Sequence, residues 1–201
     1  MRDSCYNQPM RNIPAVLALS LLLCVFASCA TAGRKGAGEA SVFVTDSKSV
    51  PVLPPPCMDG ILDELQLFTG SFGEQTFSSL AYIQADQGGI DITLLNEMGM
   101  DMGKLGYDGK NLSFSSPYFP KDVRAEYMVL DIQNAYYDVS ALKKQYDASG
   151  LAFSCEHLGG KEIRRVLDGD RIVEEIVKDG NAVTITNFLR GYRYDLRKVE
   201  E

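Results

Sequence analysis

The stretch QGGIDITLLNEMGMDMGKLGYDGKNLSF, residues 87–114, decides the fold, because it strings short segments of period-two patterning between glycine turns. Ile90, Ile92 and Leu94 alternate with Asp91 and Thr93, as in a strand with one buried face. Gln87-Gly88-Gly89 closes the segment before it, Met100, Met102 and Lys104 continue into a further strand, and Asp108-Gly109 forms a hairpin turn leading to Leu112 and Phe114. No connection here is long enough for a helical crossover, so the strands are expected to form an antiparallel meander.

Working outward, Leu65, Leu67 and Thr69 alternate with Gln66 and Phe68 in a first strand that ends at Gly70 or Gly73. Phe77, Ala81 and Ile83 share parity in a second. Beyond residue 114 the period changes. Pro120 with Asp122 opens a helix whose stripe is Val123, Tyr127, Leu130 and Asn134, widened by Met128, Ile132 and Ala135 and ended by Tyr136-Tyr137. Ser140 is placed to cap a second, shorter helix running through Ala148 to Gly150. Strands resume with Lys161–Leu167, the turn Asp168-Gly169 and Arg171–Val177. Within RIVEEIVK, residues 171–178, the apolar positions suit a helix as well as a strand, and the bracketing turns favour the strand. Val183 and Ile185 follow, then a turn near Arg190-Gly191, and a last strand with Tyr192, Tyr194 and Leu196 on one face. Strands, a two-helix insert and strands again make the class α+β.

At the other end, Ile13–Cys29 reads IPAVLALSLLLCVFASC. This apolar run is shorter than the roughly 20 residues of a membrane span and stops at a cysteine preceded by small residues, so it is expected to be a lipoprotein signal. Cleavage would leave Cys29 as an acylated N-terminus tying the chain to a membrane outside the cytoplasm. A plain secretory signal cut near Ala30 or Ala32 is the alternative. Met10-Arg11-Asn12 gives the compact positive start such a signal needs, so translation is expected to start at Met10. The expected organisation is a signal over 1–28, a flexible tether over 29–56 with a stiff end at Pro54-Pro55-Pro56, and one domain over 57–201.

Without residues 1–28, which contain Arg2, Arg11 and Asp3, the chain keeps 18 basic and 26 acidic residues, a net charge of −8. That argues against nucleic acid as a partner and against electrostatic adhesion to anionic lipid. Of the five cysteines, Cys5 and Cys24 precede the cut and Cys29 carries the lipid; Cys57 and Cys155 remain, either bridged or as two buried thiols. His157 is the only histidine and reads as a loop residue, so no metal site and no Ser/His/Asp or Cys/His set can be assembled. Glu174 and Glu175 point to opposite faces of a strand. An enzyme, and a cofactor other than the covalent acyl group, are therefore not expected.

Met98, Met100 and Met102 alternate, so an extended segment would put three thioethers on one face, as plain core, as an adaptable apolar wall, or as a soft Cu(I) site. The segment Gly99–Gly109, Leu130-Asp131-Ile132-Gln133, Arg165-Val166-Leu167-Asp168-Gly169 with Ile176, and Val183-Thr184-Ile185-Thr186-Asn187 with Gly191-Tyr192 together resemble an uncharacterised family of Gram-negative outer-membrane lipoproteins. That family is similar to the LolA/LolB lipoprotein carriers. The resemblance implies an antiparallel sheet curved into an incomplete, half-open β-barrel covered by the helices, around an apolar cavity for an acyl chain, a lipid or a lipidated partner. Ile92, Leu94, Met100, Met102, Tyr127, Leu130, Ile185 and Tyr194 are the expected cavity wall. Resemblance to outer-membrane lipoproteins also implies, from Ala30 in place of the Asp associated with inner-membrane retention, an outer-membrane location facing the periplasm. The competing expectation is a structural lipoprotein that docks an envelope protein complex through its surface.

Overall fold

The computed structural model describes residues 41–118 and 124–200. Cys29, the signal 1–28 and the first part of the tether lie outside the described residues, as do Pro120, Asp122 and Val123 of the expected helix start.

Ten strands form one antiparallel sheet built from two meanders. The first comprises β3 (Leu62–Phe72), β4 (Gln75–Ala85), β5 (Ile90–Leu95), β6 (Asp101–Tyr107) and β7 (Leu112–Ser115). Two helices follow, α1 (Ala125–Tyr136) and α2 (Val139–Ala148). The second meander comprises β8 (Ala152–Leu158), β9 (Lys161–Asp168), β10 (Arg171–Asp179), β11 (Ala182–Asn187) and β12 (Tyr192–Lys198). The spatial order β7-β6-β5-β4-β3-β12-β11-β10-β9-β8 joins the meanders through β3 and β12, from Phe72↔Tyr192 to Gln66↔Lys198. The helical insert links the two edge strands, β7 and β8, and the sheet stays open because those edges do not pair. The helices and one face of the sheet share a single apolar cluster that includes Ile83, Ile92, Leu105, Val129, Leu142, Val166 and Ile185.

The α+β class and the strand, helix, strand order agree with the sequence, and several local readings need correction. In β3 the buried parity is Leu62, Gln66, Phe68 and Gly70, whereas Leu67 is 44% exposed. Cross-strand pairing sets this: Gln66 opposes Ala81 and Glu64 opposes Ile83, and opposed residues share a face, so the inward side chains of β4 fix which residues of β3 turn in. In β6 the buried residues are Gly103, Leu105 and Tyr107; Met98 and Met100 lie in the preceding turn, exposed, and Met102 is half-buried. The three thioethers therefore do not share a face. His157 belongs to an edge strand, β8, rather than a loop, and its side chain is 75% exposed beside Glu162.

The ambiguity of RIVEEIVK has a structural cause. A β-bulge between Ile172 and Glu174 lets the neighbours Val173 and Glu174 both turn inward, which breaks the period of two. Glu174 and Glu175 still face opposite ways, but Glu174 points into the core.

The segment expected to be the end of a tether is folded. β1 (Ser41–Phe43) and β2 (Ser49–Pro51) form a hairpin whose Val42 and Val50, together with Val44 and Val52, are buried in the core. Gln133 of α1 clamps the chain just after it, accepting from Leu53 N–H at 3.0 Å and donating to Leu53 C=O at 2.8 Å. Lys48 reaches Asp168 at 2.6 Å, and Arg190 donates to the Phe43 carbonyl. Helix α2 is capped by Asp138, which accepts from Ala141 N–H at 2.8 Å, two residues before Ser140. Gly150 ends it at φ +70°. Cys57 and Cys155 are both free thiols, and burial raises the pKa of each.

Candidate functional site

Phe68 and Phe72 of β3, Phe77 of β4, and Tyr192 and Tyr194 of β12 share one end of the sheet because register puts Phe72 opposite Tyr192, and Gly70 opposite both Phe77 and Tyr194. Their rings pack together, edge to face for Phe68–Phe77 and tilted for Phe68–Tyr194, both with centroids 5.3 Å apart, and tilted at 4.9 Å for Tyr192–Tyr194. Gly70 makes this possible. A Cβ there would stand 2.3 Å from the Phe77 ring, which lies across the glycine backbone.

These rings, with Gln75, Tyr127, Met128, Arg124 and Arg190, enclose an open cleft of about 520 Å³. That volume falls within the range of about 300–1,000 Å³ usual for small-molecule pockets. A smaller void of about 30 Å³ in the core shares Phe68, Met128 and Tyr194 as wall and is otherwise bounded by Ala81, Ile83, Ile92, Leu94, Asp131, Ile132, Ile185 and Leu196. Two guanidinium groups stand over the Tyr127 ring, Arg190 at 4.4 Å and Arg124 at 5.1 Å from its centroid. Glu126 pairs with Arg124 at 2.7 Å.

Beside the cleft lies a buried polar network. Asp131 on α1 is 2% exposed and Glu174, turned in by the bulge, is 4% exposed. The Tyr192 hydroxyl donates to both Asp131 oxygens, at 2.9 and 3.0 Å. Asn134 and Asn187 amides donate to the two Glu174 oxygens, at 2.9 and 3.2 Å, and the Tyr146 hydroxyl donates to Asn134 at 2.8 Å. Burial, and then the neighbouring Glu174, push the Asp131 carboxyl well above the usual carboxylate range; burial also raises Glu174, against the two amide donors. The two carboxyl groups act on each other, so the shift at Asp131 favours its neutral form. Burial beside an apolar void is the main cause of that shift, because the charged form loses its hydration there.

Of the expected cavity wall, Tyr127 and Tyr194 line the cleft, and Ile92, Leu94, Ile185 and Tyr194 line the adjoining void. Leu130 is buried elsewhere in the core, Met102 packs against it, and Met100 is 54% exposed; these three do not line the cavity. Phe68, Phe72, Phe77 and the two arginines were not legible as a site, because the parity read for β3 sends Phe68 outward. The available signal was Gly70 set between aromatics of equal parity, since an isolated glycine inside a strand marks a close approach by another group.

A second hollow, about 450 Å³, is walled by Asp63, Asp86, Asp91 and Asp108 among other residues. Asp86 and Asp108 there serve their own turns: Gly88 N–H donates to Asp86 at 2.6 Å and Lys110 N–H to Asp108 at 2.8 Å. Backbone and side-chain donation from Asn111, with Lys110 N–H, holds Asp108 down to about 2. Among the described residues no group of His, Cys, Asp and Glu is arranged to hold a metal ion, and no helix is long and apolar enough to cross a membrane.

No curated protein matches the chain. The model of a family described as a protein of unknown function, DUF3261, matches residues 63–200, which contain every residue of the cleft and of the carboxyl network and leave out the β1–β2 hairpin. The chain belongs to the DUF3261 family.

Proposed function

We propose that the chain is a lipid-anchored envelope protein that binds or carries an acyl chain, or the lipid or lipidated partner bearing one, without catalysis. Cys29 is the acylation site, and the anchor holds the domain at the outer membrane on its periplasmic side. On this reading the open sheet is the half-open barrel of the LolA/LolB type and the aromatic cleft is its ligand site. The observation that supports this is the cleft itself: a volume of about 520 Å³ walled mainly by aromatic rings and Met128, and adjoining an apolar void. Burying hydrocarbon there gains about 0.8 kcal/mol per CH₂, which lets a protein wall compete with a bilayer.

The test uses protein purified without detergent and the neutral fluorophore N-phenyl-1-naphthylamine. Saturable fluorescence enhancement, reversed by 1-dodecanol, is expected. A folded sample that gives neither would contradict the reading. Radiolabelled palmitate should attach to the wild type and not to Cys29→Ser; equal labelling of both would remove the anchor.

A further inference from the structure

We infer that the cleft selects single-chain amphipaths with an anionic head, taken by Arg190 at its mouth. The inference rests on the reading of the cleft as an acyl site and deepens it. Arg190 sits in the turn between β11 and β12, and that turn is fixed from beneath. Asn187 Oδ1 accepts from Arg190 N–H at 2.9 Å, while the Asn187 amide donates into the buried network at Glu174 and Tyr192. The guanidinium lies 4.4 Å from the centroid of the Tyr127 ring. One of its donors goes to the Phe43 carbonyl. A guanidinium has five donors in a planar fork suited to carboxylate and phosphate oxygens, so most of that capacity is unspent.

Charge at the mouth supports the same conclusion. Two arginines line the cleft, Glu126 neutralises Arg124, and among the described residues no carboxylate lies within ion-pair distance of Arg190. A chain with a formal net charge of −7 thus places a cation with no ion-pair partner among the described residues at the rim of an apolar cleft. Asp131 in the floor feels the charge of Arg190, but burial and the neighbouring Glu174 outweigh it and hold its carboxyl well above the usual range. Hydrocarbon against Phe68, Phe77 and Tyr194 with an anion on the fork of Arg190 satisfies both halves of the site. A neutral head leaves the fork to water, and a cationic head is repelled.

Fatty carboxylates and alkyl phosphates share this chemistry, and the test separates them. Dodecanoate, dodecyl phosphate, 1-dodecanol and dodecyltrimethylammonium are each titrated against bound N-phenyl-1-naphthylamine, with wild type, Arg190→Gln and Arg124→Gln, each checked for its circular dichroism. At least one anion should displace the fluorophore at about tenfold lower concentration than dodecanol, with the ammonium weakest. Arg190→Gln should abolish that preference, weakening displacement by the anion far more than displacement by dodecanol, and Arg124→Gln should reduce it less. The stronger anion identifies the head. In wild type the preference should shrink as salt is raised, a readout that holds even where a variant fails to fold. Dodecanol binding as tightly as both anions, or a preference that survives Arg190→Gln, overturns the assignment of the head and leaves the cleft standing. Binding of neither fluorophore nor dodecanol overturns both.

Discussion

Asp131 is the residue on which the interior turns. Burial, and then the neighbouring Glu174, raise its folded pKa above its unfolded one near 4. The native state therefore binds the extra proton, and the stability it brings is fully present below the unfolded pKa and lost as pH rises toward the folded value. Wild type should lose stability as pH rises above the unfolded value near 4, with a slope of at most about 1.4 kcal/mol per pH unit relative to Asp131→Asn, whose amide can both donate to Glu174 and accept from Tyr192. Urea unfolding at several pH values checks this, and parallel curves for the two proteins would refute it. The carboxylates held low by partners, such as Asp168 by Lys48 and Asp195 by Arg193, act in the opposite sense and only at more acidic pH. Gly70 is the other decisive residue. Alanine there should push the Phe77 ring into the cleft, weaken fluorophore binding several-fold and cost about 1 kcal/mol or more of stability, with the circular dichroism kept.

At the scale of elements, two attachments carry separable consequences. Asp138→Ala removes the cap of α2 and should lower the unfolding free energy by about 1 kcal/mol in denaturant titration. Gln133→Ala breaks both hydrogen bonds to Leu53 and should cost about 1–3 kcal/mol. It should also speed hydrogen exchange at the amides of Val42 and Val50 more than in β4 or β11; uniform acceleration would mean that the β1–β2 hairpin is not a separately held flap. Strands with clean alternation, such as Ile90-Asp91-Ile92-Thr93-Leu94, were legible because local parity and burial agree there. β10 was ambiguous because its bulge puts consecutive residues inward, and β3 was read in the wrong parity because pairing with β4 overrides its own leucines. The hairpin at 41–51 hid in a polar stretch, since Val42, Val44, Val50 and Val52 find their partners on helices far along the chain.

For the molecule as a whole, sequence was informative about what is local and silent about what register assembles. Consecutive glycine turns imply an antiparallel meander, and the change of period at 120–148 marks the insert. The joining of β3 to β12 brings together residues more than a hundred positions apart, and that joint builds the aromatic cleft. Tyr127, Ile185 and Tyr194 were identifiable from their own elements; Phe68, Phe72 and Arg190 required the pairing to be known. The central claim is that this cleft, rather than apolar surface in general, takes hydrocarbon. Photolabelling of detergent-free protein with a diazirine-bearing fatty alcohol, read by peptide mass spectrometry, tests it most directly. Adducts confined to Phe68, Phe72, Phe77, Tyr127, Met128, Tyr192 and Tyr194, and reduced by Gly70→Ala, are the expected result. Adducts spread over exposed apolar residues such as Ile61, Met98 and Leu158, with the cleft unlabelled, would contradict it.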